Sequence, residues 1–184
     1  MPLLKKIIYL IPVLVFFACH NKKQGAAVSN AILTLKETGR LATAEYTLGK
    51  VIRASDDKPW YKVGDRKIII NCEARLKAGI DLQNITKDNF AGYKDSIAIT
   101  LPHAKILSLN IPPDKIQVWY EDIGALRSPF SAAEREELVA QAEPQILSLA
   151  DSLGILKTAE QNAAVFMQHL FEDAGYTKTG VQFR

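Results

Sequence analysis

Asp81, in Ala78-Gly79-Ile80-Asp81-Leu82, follows a glycine at the end of a strongly patterned strand. Its carboxylate has the chemistry of a general base or a metal ligand. The same setting suits an aspartate whose oxygens collect backbone amides in a turn, and capping is the reading adopted. His103 directly follows Leu101-Pro102 at another strand end, a place where functional side chains are often displayed, although a structural role is favoured for it. The two would form an acid/base pair only if folding brought them within hydrogen-bond reach, directly or through one water. His20 and His169 complete the histidines; His169 has no cysteine or second histidine at ligand spacing, which argues against zinc. Cys72 alternates onto a core face and reads as an inert buried thiol. Trp60, Tyr61, Trp119 and Tyr120 could line a surface but read first as strand packing.

Familiar catalytic signatures are missing from the sequence. There is no Gly-x-Ser-x-Gly elbow, phosphate loop, dinucleotide fingerprint, His-Glu-x-x-His or Cys-x-x-Cys. The expectation is therefore no catalytic constellation, no metal and no cofactor.

The elements that must hold these residues follow from periodicity. A polar tether from residue 19 leads into a short helix over Asn30 to Thr38, capped by Ser29 and stopped by Gly39. From Arg40 the period is two, with Ala42, Ala44, Tyr46 and Leu48 on one face and Thr43, Glu45 and Thr47 on the other. A turn or loop is expected over residues 55–59. The clearest strand alternates Ile68, Ile70, Cys72, Ala74 and Leu76 against Lys67, Asn71, Glu73, Arg75 and Lys77. Residues 78–94 read as loop. Three short strands follow around Ile97 to Leu101, Leu107 to Ile111 and Ile116 to Tyr120, close enough together to predict antiparallel pairing.

Near Ser131 the period becomes helical, and Ser131-Ala-Ala-Glu134 has the spacing of a capping box. Pro144 is expected to break or kink that helix near Glu143, with Ile146, Leu149, Ala150 and Leu153 forming the next apolar row. Thr158-Ala-Glu-Gln161 repeats the capping spacing ahead of a row of Ala159, Ala163, Phe166, Leu170 and Ala174, and Val181 and Phe183 mark a closing strand. The result is an α+β domain: a mainly antiparallel sheet of about six strands, C-terminal helices on one face, and a closing C-terminal strand.

The chain has 184 residues, 48% of them apolar and 23% charged, with a formal charge of +3. These values exclude a disordered or polytopic membrane protein. Apolar residues are concentrated in residues 1–18, where Lys5 and Lys6 precede an apolar run that ends at Ala18. That run is too short to span a bilayer and reads as a signal peptide. Without its two lysines, the 23 basic residues become 21 against 20 acidic ones, so the remainder is nearly neutral and does not suit nucleic acid. Ala18-Cys19 followed by polar residues resembles a bacterial lipoprotein signal, which implies a diacylated Cys19 as the mature N-terminus. Two acyl chains give stable anchoring where one does not. The expected location is the bacterial cell envelope, anchored by lipid and facing the periplasm. His20 stands where an aspartate would retain many lipoproteins at the inner membrane, which by analogy favours the outer membrane. The organisation is then a signal over 1–18, a tether and short helix over 19–38, and one domain over 39–184.

Three strings, Leu41-Ala-Thr-Ala-Glu-Tyr46, Ala78-Gly-Ile-Asp-Leu82 and Ile99-Thr-Leu-Pro-His-Ala-Lys-Ile-Leu107, together resemble the bacterial domain of unknown function 4230 over about residues 39–184. The resemblance implies a small protein with an N-terminal anchor and assigns no activity. Glu45, Asp81 and His103 become signature positions without known roles. The functional expectation is a lipid-anchored binding or scaffolding module whose partners are the membrane and an envelope protein or ligand. The alternatives are an envelope hydrolase or metal-dependent enzyme using Asp81 and His103, or self-assembly through the late helices.

Overall fold

The computed structural model describes residues 21–56 and 64–184. Cys19, Trp60 and Tyr61 lie outside the described residues, as does the signal segment. The described elements in chain order are α1 (Asn21–Thr38), β1 (Arg40–Asp56), β2 (Arg66–Asp81), β3 (Phe90–Tyr93), β4 (Ser96–Leu101), β5 (Lys105–Asn110), β6 (Ile116–Ile123), α2 (Ala132–Ser152), α3 (Ile155–Asp173) and β7 (Lys178–Phe183). The α+β class with mainly antiparallel pairing, late helices and a closing strand is the one expected from the pattern.

The chain folds into two compact units that interleave in sequence. One holds residues 42–80 and 104–161; the other holds the described residues up to 41 together with 81–103 and 162–184. In the first, β2 lies at the centre of a four-stranded sheet, with β1 along one side and β5 and β6 along the other. Both β5 and β6 are antiparallel to β2. The strict alternation of β2 has the predicted outcome: Ile68, Ile70, Cys72, Ala74 and Leu76 are buried. Each isoleucine or leucine buried there contributes about 1.5–3 kcal/mol of transfer free energy. Phe130 and Val139 pack on Ile68 and Ile70 as one cluster.

The β6 strand departs from simple alternation. Its register jumps between Ile69, opposite Tyr120, and Ile70, opposite Val118, so Trp119 is the extra residue of a bulge. Val118 and Tyr120, expected on one face, therefore sit at successive ladder positions on opposite faces. A second shift beside Ala78 leaves Leu107 as the extra residue opposite β2.

Helix α2 starts as its sequence specifies. Ser131 Oγ accepts from Glu134 N at 3.3 Å, and Glu134 Oε2 accepts from Ser131 N at 2.7 Å. Of the expected break or kink at Pro144, the break does not occur: the helix runs on to Ser152. Pro144 and Ala140, whose carbonyl loses its partner amide, are both exposed, so the missing bond falls on the outer side of the helix. Burial of Val139, Ala142, Ile146 and Ala150 holds the helix through the gap.

The second unit contains a three-stranded sheet in the order β3-β4-β7. β3 and β4 are antiparallel, whereas β7 runs parallel to β4. A hairpin joins the first pair, while a parallel pair needs the long crossover that the intervening chain supplies. Residues 78–94, expected as loop, instead carry the end of β2, a turn and β3. Asp95 ties the β3–β4 turn to the start of β7: its backbone oxygen accepts from Thr177 N at 2.9 Å and its Oδ2 from Thr177 Oγ1 at 3.0 Å. The Thr177 hydroxyl is the largest cause that holds the Asp95 carboxyl below the usual carboxylate range, with the Asp95 backbone amide second. Phe171 is fully buried between Phe90 and Tyr176, with ring centroids 5.6 and 6.1 Å away.

Two helix details also differ from the pattern. α1 covers Asn21–Thr38, so the described residues ahead of Asn30, expected as tether, are already helical. α3 begins at Ile155, so Thr158 is inside the helix and its hydroxyl returns to Gly154 O at 3.2 Å, where a cap was expected. The buried row of α3 is Ile155, Ala159, Ala163, Met167 and Phe171, while Phe166 is exposed. Spacing alone could not separate these two rows, since both step along the helix at similar intervals.

Candidate functional site

The residues singled out in the sequence do not assemble into one reacting centre. Glu45 projects from β1 in the first unit, where Oε1 lies 3.3 Å from Arg75 Nε and Oε2 lies 3.9 Å from Lys77 Nζ. All three side chains are about half exposed, and such pairs typically contribute ~0–1 kcal/mol. Asp81 and His103 belong to the other unit. Asp81 Oδ1 accepts from Gln83 N at 3.1 Å, the turn bond expected of an aspartate after a strand. It lines a cleft of about 410 Å3 whose wall is shared between polar residues such as Asn84, Asp88 and Arg184 and apolar ones such as Ile85 and Leu101. Asn89 is committed to the fold there, taking Thr86 N at 2.8 Å and donating to Thr100 O at 3.0 Å. His103 is not among the residues lining this cleft; its ring stacks on Phe183, 6.5 Å between centroids. Among the described residues no three His, Cys, Asp or Glu side chains are grouped to hold a metal.

Cys72 is buried in β2, with Sγ 3.5 Å from Lys50 O. Burial pushes its thiol upward, the direction that suppresses the reactive thiolate.

The larger recess lies in the first unit. One wall is the α2 row Ala132, Arg135, Glu136, Val139, Ala140 and Glu143, residues at helical spacing on one face. The facing wall is Leu109, Ile111, Ile116 and Val118, the ends of β5 and β6 on the side that the bulge turns toward the helix. The groove measures about 740 Å3, within the range of ligand pockets, roughly 300–1,000 Å3. Its floor is apolar and its rim is charged. Arg135 donates to both oxygens of Glu121, at 3.3 and 3.1 Å, and Glu121 Oε1 also takes Phe130 N. Arg135 Nε, by contrast, is buried with no acceptor. A buried donor without a partner is uncommon in folded proteins and calls for an explanation.

The start of α2 is fastened by a network that sequence reasoning missed. Arg66 Nη2 lies 2.7 Å from Asp56 Oδ2 and 2.8 Å from Glu134 Oε1, and the guanidinium sits 4.3 Å over the Phe130 ring. Arg127 also pairs with Asp56, and its Nη1 donates to Gly64 O at 3.3 Å. Glu134 is drawn down to about 2, first by Arg66 and then by the Ser131 backbone amide. Asp56 is lowered as well, chiefly by Arg66. Only the capping-box glutamate gave a local signal; Asp56, Arg66 and Arg127 meet it through the fold.

This network holds the turn Gly124-Ala125-Leu126-Arg127, closed by Arg127 N donating to Gly124 O at 3.2 Å. Leu126 is its third residue, at φ +65°. That region costs a non-glycine residue about 1–2 kcal/mol.

A family model for a protein of unknown function, DUF4230, matches residues 34–181, most of the chain. The chain belongs to the DUF4230 family. No curated protein and no solved structure matches it. The match spans Glu45, Asp81 and His103 as well as the groove and the Arg66 network, so the DUF4230 domain comprises both units. Family membership brings no activity with it, and the site must be read from its chemistry.

Proposed function

We propose that this DUF4230 protein is a lipid-anchored binding module of the bacterial cell envelope, tethered through Cys19, whose groove between α2 and the β5–β6 ends receives an apolar protein segment. The groove carries this reading: it joins an apolar floor of Leu109, Ile116, Val118 and Val139 to charged side chains, Arg135, Glu136 and Glu143, on its helical wall. A bound segment that brings apolar side chains to the floor and polar groups to the charged wall satisfies both features. Asp81 takes its neighbour's amide and His103 stacks on an aromatic ring, arrangements that favour turn and packing roles over acid/base work. Self-assembly through the late helices is the second reading: the row Ile155-Ala159-Ala163-Met167-Phe171 is buried, but Leu149 on α2, Leu153 just after it, and Val165 and Phe166 on α3 are exposed.

A photoreactive residue at Val118 in living cells tests the groove. The expected result is a discrete adduct that disappears with Ala140→Arg, which fills the groove from an exposed position. An adduct pattern equal to that from Glu172, on the other unit, refutes it. The anchor has its own test in the mass of the N-terminal peptide from membrane-extracted protein: an acylated Cys19 supports it and an intact Met1 refutes it.

A further inference from the structure

The open side of β6 and the turn after it expose apolar side chains that the fold does not use. Trp119 is 59% exposed, Tyr120 52% and Leu126 90%. Among the described residues β6 pairs only with β2, so this border of the sheet is free of a neighbouring strand. Leu126 is the sharpest anomaly, because it holds a left-handed conformation that suits glycine or asparagine and gains no burial in return. The turn cannot relax easily. Arg127 is pinned to Asp56 and Gly64, and Gly124 N donates to Asp65 O at 2.8 Å. Local rules broken on a rigid support point to a use outside the fold.

We infer that the Trp119–Leu126 ridge enters the interfacial layer of the bilayer to which the protein is anchored. This rests on the proposed lipid anchor. The occupant is argued from chemistry and from the chain itself: residues 1–18 are the apolar leader that delivers Cys19 to a membrane, so the domain operates within reach of lipid. Tryptophan and tyrosine favour the headgroup boundary, where an apolar ring and a polar edge are both satisfied, and a rigidly displayed leucine reaches the acyl region. The carboxylates beside the ridge do not oppose contact. Glu121 is neutralised by Arg135, and Asp122 lies opposite Lys67 in the β2–β6 ladder.

The test uses full-length protein extracted from membranes and reconstituted in vesicles of phosphatidylethanolamine and phosphatidylglycerol. Trp60→Phe leaves Trp119 as the single tryptophan. The expected result is blue-shifted Trp119 emission, quenched by lipids brominated on their acyl chains and shielded from aqueous acrylamide. Leu126→Asn should weaken the lipid quenching while raising the melting temperature, because asparagine tolerates the left-handed turn. Three outcomes overturn the inference: acrylamide quenching without lipid quenching, Leu126→Asn leaving lipid quenching unchanged, or a dimer that hides Trp119 in detergent as completely as in vesicles. Protein that fails to float with the vesicles defeats the anchor and this inference together, whereas protein that floats with Trp119 in water defeats this inference alone.

Discussion

Replacing Gly124 with alanine isolates the contact that holds the exposed turn in place. A Cβ built there lies 2.7 Å from Gly64 Cα, 2.8 Å from Asp65 N and 2.9 Å from Asp65 O. All three atoms are backbone, so no side-chain rotation relieves the overlap, and the two segments must separate. Separation also breaks the bond from Gly124 N to Asp65 O. The backbone angle adds nothing, since Gly124 is not among the residues with positive φ. Overpacking costs about 1–3 kcal/mol and the lost bond about 0.5–1.5 kcal/mol, so Gly124→Ala should destabilise by roughly 2–4 kcal/mol. For a chain of this size that corresponds to a fall in melting temperature of about 4–16 °C. Two further glycines serve as controls. Gly154 has φ +70° with open space around its Cβ position, so alanine there carries only the conformational penalty of about 1–2 kcal/mol. Gly49 has neither positive φ nor a neighbour within 4 Å, so alanine in the middle of β1 should stabilise by about 0.5–1 kcal/mol. Urea unfolding with matched slopes measures all three. A Gly124→Ala protein within about 0.5 kcal/mol of wild type, the scatter of ordinary surface changes, would refute the steric argument.

Acid titration should expose the Arg66 network. Glu134 has its folded value lowered from 4.5 to about 2, so its stabilising contribution is complete above the unfolded value and is lost as pH falls from about 4.5 toward 2. Glu134→Gln should flatten the stability profile in that window, and an unchanged profile would disprove the pairing. Cys72 should resist a disulfide reagent at pH 8 until denaturant is added, because burial disfavours its thiolate; rapid labelling of the native protein would contradict its burial. Asp81→Asn should stay close to wild-type stability by keeping an oxygen for Gln83 N, whereas Asp81→Ala should lose about 0.5–1.5 kcal/mol in the same unfolding assay. Equal losses for the two would remove the turn role.

Local pattern was sufficient wherever the deciding interaction spans a few residues. The inward row of β2 from Ile68 to Leu76, the Ser131–Glu134 capping box and the Asp81 turn bond all have the predicted form, because alternation and capping are set within one strand or one helical turn. The α+β class follows from the order of such segments. What tertiary structure decided is everything that depends on a partner far along the chain. Pro144 stays inside α2 because buried residues on both sides outweigh one missing bond, and the bulge at Trp119 sends Val118 and Tyr120 to opposite faces because β2 sets the register. The strands divide between two sheets, and β7 pairs parallel to β4, because pairing is settled between segments about 80 residues apart. The groove, the orphaned Arg135 Nε and the Arg66–Asp56–Glu134–Arg127 network have no sequence signature for the same reason. Charges and apolar side chains are visible in a sequence, but their neighbours are chosen by the fold.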